Sequence, residues 1–155
     1  MLNDAENDEI KELRKLYIEA TLDQRMHVID QILEKTPDGP MELVVALSAV
    51  EGVARAVLIE LEMENGKSSE AAYQSFLKSN ANDLIGKLKT KWPMEEIAST
   101  EEVHKLNSAV LARNLICHEC TYLRETKYSE YSNLCRKVYN SLKALARAKN
   151  LTLIK

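Results

Sequence analysis

The sequence predicts an all-α fold, an up-down helical bundle of about five to six helices. The 155 residues include only four Gly and three Pro, fewer than turn-rich β-sandwiches and barrels use. Hydrophobic residues make up 45% of the chain and charged residues 29%, which is a globular composition. Apolar residues also recur along the chain at the spacing of amphipathic helices.

In the first half of the chain, the pattern predicts one or two N-terminal helices followed by a long central helix. Residues 5–35 carry apolar side chains at helical spacing, and Thr21 with Gln24 forms a capping-box pattern that can divide them. The next helix is predicted over residues 41–65, after Pro40 in a position that suits the first helical residue. It is apolar almost all round, so we expect it at the centre of the bundle.

In the second half, the pattern predicts two short helices and then two long ones. Serine and asparagine caps precede apolar repeats between residues 68 and 92, which indicates the short helices. Ser99 and Glu102 form another capping-box pattern and open a helix over about residues 100–124. The last helix is predicted to end near residue 149.

No linker or internal repeat interrupts this pattern, so residues 1–155 are predicted to form one domain. It would comprise N-terminal helices over residues 5–35 and a core over about residues 40–150. Charge is uneven within it, because residues 1–103 carry a formal charge of −10 and residues 104–155 a charge of +7, which together give −3. The basic C-terminal third either offers a polyanion-binding face or is neutralised by the acidic part inside the bundle.

The sequence contains no pattern typical of a secretion signal, a membrane span or a cofactor site. The N-terminus is acidic and lacks an apolar core, and the most apolar stretch, residues 43–61, is interrupted by Glu51, Arg55 and Glu60. No Gly-rich phosphate loop, nucleophile elbow or zincin motif is present. We therefore predict a cytoplasmic protein that does not associate with membranes and needs no cofactor.

Three cysteines lie in the last third of the chain, an odd number that argues against a secreted disulfide scaffold. Cys117, His118 and Cys120 form a cluster that Cys135 would have to complete as a zinc site. Structural zinc sites usually combine two closely spaced cysteine pairs, and this chain has only one. Reduced cysteines that fill the core as small apolar residues are therefore the preferred interpretation.

The most informative stretch is residues 111–125, most of which lies on the predicted helix over residues 100–124. Arg113 is followed directly by Asn114, and His118 lies four residues after Asn114, so Asn114 and His118 share a helix face. A histidine that titrates near neutrality accepts or donates protons, and a guanidinium stabilises charge on phosphate oxygens. Arg113, Asn114 and His118 are therefore candidate catalytic residues for proton transfer and charge stabilisation at a phosphate, with Asn114 holding either the imidazole or the phosphate.

Arg113, Asn114 and His118 resemble the Arg-x4-6-His motif of the HEPN superfamily, which often begins with Arg-Asn. Members of this superfamily are small helical domains that bind nucleotides or cleave RNA. The helix order is also similar over about residues 40–150, where a long central helix precedes the motif helix. The resemblance implies a HEPN-like metal-independent endoribonuclease that cleaves single-stranded RNA, as a toxin or a defence component.

Cleavage of RNA by internal transfer needs both a proton acceptor and a proton donor, whereas one chain supplies one motif histidine. This requirement and the resemblance both favour a homodimer with two motifs facing one cleft. The alternative is a non-catalytic HEPN-like bundle that binds nucleotide, RNA or a protein partner, as a regulator or antitoxin. A third interpretation is an unrelated helical adaptor.

Two acidic residues are candidates for supporting the motif. Glu51 lies in an apolar run, where an unpaired carboxylate would be costly, so it either pairs with Arg55 one turn later or reaches across the bundle to orient Arg113 or His118. HEPN domains often carry such an acidic or polar residue on an earlier helix. Glu119, beside His118, is the second candidate, and its alternative is a solvent-facing position.

Basic and aromatic residues alternate after the motif, a composition that suits single-stranded RNA through phosphate contacts and base stacking. The candidate RNA-binding residues are Tyr122, Arg124, Lys127 and Tyr128. Tyr122 and Tyr128 are predicted to be exposed. The alternative is that the apolar side chains of the last helix form a core stripe and its lysines are merely solvated.

Overall fold

The computed structural model describes residues 4–121 and 125–151, and the secondary structure in these residues is entirely helical. In chain order the helices are α1 (Asp4–Glu19), α2 (Leu22–Lys35), α3 (Pro40–Glu64), α4 (Ser69–Phe76), α5 (Ala81–Lys91), α6 (Thr100–Glu119) and α7 (Glu125–Ala148). The all-α class is confirmed, with seven helices in the described residues rather than five to six, because Thr21 divides the N-terminal segment. None of these helices is long and apolar enough to span a bilayer.

Two capping boxes fix the starts of α2 and α6, as the sequence predicts. The Thr21 hydroxyl accepts a hydrogen bond from the Gln24 backbone N–H (3.1 Å), and the Gln24 side chain accepts one from the Thr21 N–H (2.8 Å). Ser99 and Glu102 repeat this arrangement at 3.1 and 2.9 Å. Each box satisfies N–H groups that a helix N-terminus leaves without intrahelical partners.

Helix α3 lies at the centre of the bundle, as its apolar sequence predicts. It starts at Pro40, and thirteen of its 25 residues are buried. It packs against α2, α4, α5, α6 and α7. The chain leaves α3 through Gly66, whose φ of 96° lies in the left-handed region that glycine adopts without steric penalty. The central helix therefore contacts both the N-terminal part of the chain and the motif helix α6.

Helix α6 is shorter than predicted, because it ends at Glu119 rather than near residue 124. Cys120 adopts the left-handed conformation (φ 50°, ψ 36°), which turns the chain out of the helix. The backbone N–H groups of Cys120 and Thr121 both donate to the carbonyl of Leu115, so a helix-terminal carbonyl gains partners. His118 consequently lies in the last turn of α6.

Helix α1 is held to the bundle mainly through its C-terminal end. Ile18 is its one buried residue. Arg25 of α2 donates a hydrogen bond to the Ile18 carbonyl (3.0 Å), and its guanidinium lies 4.5 Å from the centre of the Tyr17 ring. Leu13 and Leu16 remain 60% and 55% exposed. Helix α1 therefore leaves apolar side chains open to solvent beside α2.

Candidate active site

The centre of the candidate site is an ion pair between the central helix and the motif helix. Nη1 of Arg113, on α6, donates to Oε1 of Glu51, on α3. The two side chains are only 20% and 10% exposed. Of the two arrangements that the sequence allows for Glu51, the structure therefore contains the one across the bundle.

Arg55, the other possible partner of Glu51, is engaged elsewhere. Its Nε donates to the carbonyl of Phe76 (3.1 Å) and its Nη2 to the carbonyl of Ser79 (3.1 Å). Phe76 is the last residue of α4, where backbone carbonyls lack intrahelical donors and attract cations. Arg55 thus stabilises the end of α4 and leaves Glu51 free for Arg113.

A third group, the Cys135 thiol of α7, lies near the Glu51–Arg113 pair. Cys135 is fully buried. Burial and the negative charge of Glu51 raise the pKa of this thiol to about 12, while the positive charge of Arg113 acts in the opposite direction. The pair is therefore enclosed by three helices, α3, α6 and α7, and the thiol beside it stays protonated at neutral pH.

The other two motif residues lie closer to solvent than Arg113. Asn114 is half-buried and His118 is exposed. Helix geometry separates the Cα atoms of Arg113 and His118 by about 7.5 Å along the axis and by about 140° around it. Arg113 points toward Glu51, whereas His118 is open to solvent. A single chain therefore presents an anchored guanidinium and an accessible imidazole on different sides of α6.

An exposed apolar stripe runs along α6 beside His118, which sequence reasoning missed. Leu111 is 60% exposed and Leu115 is 42% exposed. Their spacing from His118, of seven and three residues, places all three on one face. The sequence signal for this stripe is an apolar repeat on α6 that contains more residues than the core of the bundle buries. Such a stripe is typical of a helix that packs against another surface.

The remaining candidate residues have varied positions. Glu119 is exposed, in agreement with the solvent-facing alternative, and Lys127 is exposed and lies 3.6 Å from Glu130. Tyr122 and Arg124 lie outside the described residues. The prediction that Tyr128 is exposed is wrong, because this residue is only 9% exposed and belongs to the core.

Tyr128 is buried because the apolar stripe of α7 begins earlier than the sequence predicts. Ser132 and Cys135 follow Tyr128 at helical spacing and are almost completely buried. The Ser132 hydroxyl satisfies its hydrogen-bonding need by donating to the Tyr128 carbonyl (2.8 Å). The buried Tyr128 ring is not available for base stacking.

Basic side chains of the last third of the chain form ion pairs, most of them with acidic residues from the first two thirds. The pairs are Arg136 with Glu42 (3.1 Å), Lys137 with Glu102 (2.6 Å), Lys143 with Asp30 (2.7 Å) and Lys149 with Glu95 (2.9 Å). Of the two interpretations of the uneven charge, this arrangement favours mutual neutralisation within the bundle. Any contact with a polyanion must therefore compete with these pairs.

The three cysteines are not brought together. Cys117 and Cys120 are exposed, so the expectation that they fill the core is wrong, whereas Cys135 meets it. Within the described residues, no group of three or more His, Cys, Asp and Glu side chains is placed to hold a metal ion. The zinc site that would join Cys135 to the motif cluster is therefore not formed.

A groove outside the motif lies between α1 and α2, over Gly52 of α3. It has a volume of about 870 Å³ and a largely apolar lining. Leu13 and Leu16 line it from α1, and Val28 and Ile32, which are 51% and 50% exposed, line it from α2.

No protein-family model, curated protein or solved structure matches this chain. The resemblance to the HEPN superfamily therefore rests on the motif and the helix order alone.

Proposed function

We propose that this protein is a HEPN-like endoribonuclease that cleaves single-stranded RNA without a metal ion and acts as a homodimer. The observation that carries the proposal is the anchoring of Arg113 by Glu51, on the same helix as an accessible His118. A partly buried ion pair is weak support for stability, because apolar residues of the same size often serve a fold as well. Such a pair does hold a guanidinium in one orientation, which charge stabilisation in a transition state requires.

In the proposed reaction, the imidazole of His118 takes the proton of the RNA 2′-OH, and the 2′-oxygen attacks the adjacent phosphorus. The Cα atom of Arg113 lies about 140° round α6 from that of His118, so in the proposed complex its long side chain has to reach round the helix to donate hydrogen bonds to the phosphate oxygens, on which negative charge builds. Glu51 accepts from Nη1 of Arg113, and the guanidinium has further N–H donors to offer the phosphate. The bond to the 5′-oxygen then breaks, and this oxygen needs a proton.

The second proton transfer is the reason for proposing a homodimer. The leaving 5′-oxygen would take its proton from the His118 of a second copy. Leu111 and Leu115 support this assembly, because they continue the His118 face of α6 as an exposed apolar stripe. A second copy packed against this stripe would bury both leucines and bring two histidines to one cleft.

The test is cleavage of a labelled single-stranded RNA by the purified protein, with and without EDTA, followed by analysis of the product ends. We expect cleavage in EDTA and products that end in a 2′,3′-cyclic phosphate. His118→Ala removes the proton-transfer group and should lower the rate by about 10²–10⁴-fold. Arg113→Lys keeps a positive charge beside Glu51 but loses the guanidinium fork, so it should also be strongly impaired.

The matched control is His104→Ala, since His104 is an exposed histidine on the same helix and lies outside the motif. This variant should keep the wild-type rate, and the loss of cleavage in His118→Ala prepared in the same way excludes a contaminating nuclease. Cleavage that needs added Mg²⁺, or that survives His118→Ala, would refute the proposed function. Light scattering that shows only monomer at micromolar concentration would refute the dimeric site.

The groove between α1 and α2 favours a second candidate function, a non-catalytic bundle that binds a protein partner as a regulator or antitoxin. An apolar groove of this size is typical of a surface that another chain covers. Two results together would favour this candidate over the nuclease. The protein would cleave no RNA in any condition, and it would bind a specific partner protein that the Leu13→Asp variant no longer binds. Leu13 is mostly exposed, so its substitution leaves the core intact.

A further inference from the structure

The end of the motif helix carries two exposed thiols on either side of His118. Cys117 lies in the last turn of α6, and Cys120 follows the last helical residue. The described residues include a third cysteine, Cys135, which is buried in the core. The two exposed thiols take no part in the reaction proposed above. Their accessibility makes them available to reagents in solution.

The backbone places the Cα atoms of the two cysteines at a separation that disulfides allow, and closing the bond requires their Cβ atoms to approach to about 3.5–4.5 Å. Residues three apart in an α-helix have Cα atoms about 5 Å apart. Disulfide-bonded cysteines usually have Cα atoms about 4.4–6.8 Å apart, so the Cys117–Cys120 spacing lies within this range. Because Glu119 is still helical, the position of the Cys120 Cα atom follows this helical geometry.

The conformation of Cys120 is a second and independent observation. Its φ of 50° lies in the left-handed region, which glycine and asparagine adopt more readily than residues with other side chains. A glycine would end α6 there with less strain. The chain instead places a thiol at this turn, one helical turn after another exposed thiol.

We propose that Cys117 and Cys120 form a reversible disulfide in response to a low-molecular-weight disulfide such as oxidised glutathione, and that this bond regulates the site at His118. The first thiolate attacks a sulfur of the small disulfide, which gives a mixed disulfide and releases one small thiol. The second thiolate attacks the protein sulfur of the mixed disulfide and releases the second small thiol. The protein thus loses two protons and two electrons, and the small disulfide is reduced to two thiols.

The ring closed by this bond contains His118 and Glu119. It fixes the last turn of α6 in a new geometry, whereas proton transfer needs the imidazole within hydrogen-bonding distance of the RNA. Exposed and strained disulfides are also more easily reduced than buried structural ones, so the bond suits a reversible switch. The formation of the disulfide stands by itself, while its regulatory effect rests on the proposed ribonuclease function.

The experiment equilibrates the full chain with mixtures of reduced and oxidised glutathione, blocks free thiols with an alkylating reagent and digests with trypsin. Trypsin cleaves after Arg113 and Arg124, so Cys117 and Cys120 stay in one peptide, residues 114–124. Under oxidising conditions we expect this peptide to lose the mass of two hydrogens and to take up no alkylating reagent. Cys135 is the internal control and should stay reduced, because it is buried.

Variants separate the disulfide from other thiol chemistry. Cys117→Ser should leave Cys120 with bound glutathione and no ring, and Cys120→Ser should do the same for Cys117. A wild-type peptide that carries two glutathiones, or a disulfide that links two copies of the chain, would overturn the proposal. Both outcomes are read by mass and do not depend on any activity.

The regulatory effect is measured as RNA cleavage by the oxidised and the reduced protein. We expect oxidation to lower the rate at least tenfold, dithiothreitol to restore it, and the double variant Cys117→Ser with Cys120→Ser, which has neither exposed thiol, to cleave equally under both conditions. Equal rates for the oxidised and reduced wild-type protein would refute the regulation. A reduced protein that cleaves no RNA would instead refute the proposed function, while the mass measurement would still decide whether the disulfide forms.

Discussion

The pair formed by Glu51 and Arg113 should contribute to folding as a coupled unit rather than as two independent residues. Breaking a buried ion pair by removing one partner costs about 3–5 kcal/mol, because the other charge is left buried without compensation. The side chains of Arg113 and Glu51 keep 20% and 10% of their exposure, so water relieves part of this cost. We therefore expect Glu51→Leu and Arg113→Met each to lower the free energy of unfolding by about 2–3 kcal/mol.

The double variant, Glu51→Leu with Arg113→Met, should recover most of this loss, because two apolar side chains then meet in a largely apolar place. Its free energy of unfolding should lie within about 1 kcal/mol of the wild-type value, which gives a coupling energy of about 3–6 kcal/mol. The measurement is urea unfolding followed by circular dichroism. With a slope of about 2 kcal/mol per molar urea, each single variant should shift the midpoint by roughly 1 M.

The control is the pair formed by Lys105 and Glu130, which lie 3.8 Å apart with both side chains 45% exposed. The same cycle at this exposed pair should give a coupling energy of about 0.5 kcal/mol or less. Losses that simply add in the double variant of Glu51 and Arg113 would refute the view that the two charges compensate each other.

Two further predictions concern charge and backbone. Burial raises the pKa of Asp30, but hydrogen bonds from Lys143 (2.7 Å) and Tyr139 (2.6 Å) outweigh it, so the pKa of Asp30 lies below its ordinary value. A lowered carboxyl pKa stabilises the fold above the unfolded-state value, which is near 4, and this contribution is lost as the pH falls through the folded-state pKa. Asp30→Asn should therefore destabilise the protein at pH 6, and its difference from wild type in urea unfolding should shrink toward pH 3. Gly86→Ala in α5 should raise the free energy of unfolding by up to about 1 kcal/mol, since an added Cβ meets no atom within 4 Å, whereas Gly66→Ala should lower it because φ is 96° there.

The features that the sequence predicted correctly depend on residues close together in the chain. The capping boxes at Thr21 and Ser99 involve residues three apart, and the central position of α3 follows from its own composition. A local pattern predicts such features because no distant residue has to be known. The identity of the Glu51 partner is different in kind. The sequence allows either Arg55 or Arg113 as the partner of Glu51. Only the packing of the helices, which directs Arg55 to the end of α4, decides between them.

Two of the sequence predictions that failed, the end of α6 and the exposure of Tyr128, did so for reasons that are visible in the structure. The end of α6 lies at Glu119 because Cys120 takes a conformation that sequence patterns associate with glycine or asparagine. The aromatic residues interleaved with basic ones predict an exposed Tyr128, whereas its helical spacing to Cys135 assigns it to the core. In both cases the position of the residue in its helix decided the outcome, and the type of residue predicted the opposite.

The two halves of the candidate site differ in how they are tied to the fold, and this difference makes stability and activity separable. Arg113 is anchored to the central helix through Glu51, so its loss should lower the free energy of unfolding and, in the proposed reaction, should also remove stabilisation of the transition state. His118 lies exposed in the last turn of α6, and its removal disturbs no buried contact. The free energy of unfolding of His118→Ala should therefore lie within about 0.5 kcal/mol of the wild-type value, although the variant loses RNA cleavage. Arg113→Ala should lose RNA cleavage and also have a lower free energy of unfolding. Equal destabilisation by the two variants would mean that His118 also has a structural role, and its loss of activity would then say nothing about proton transfer.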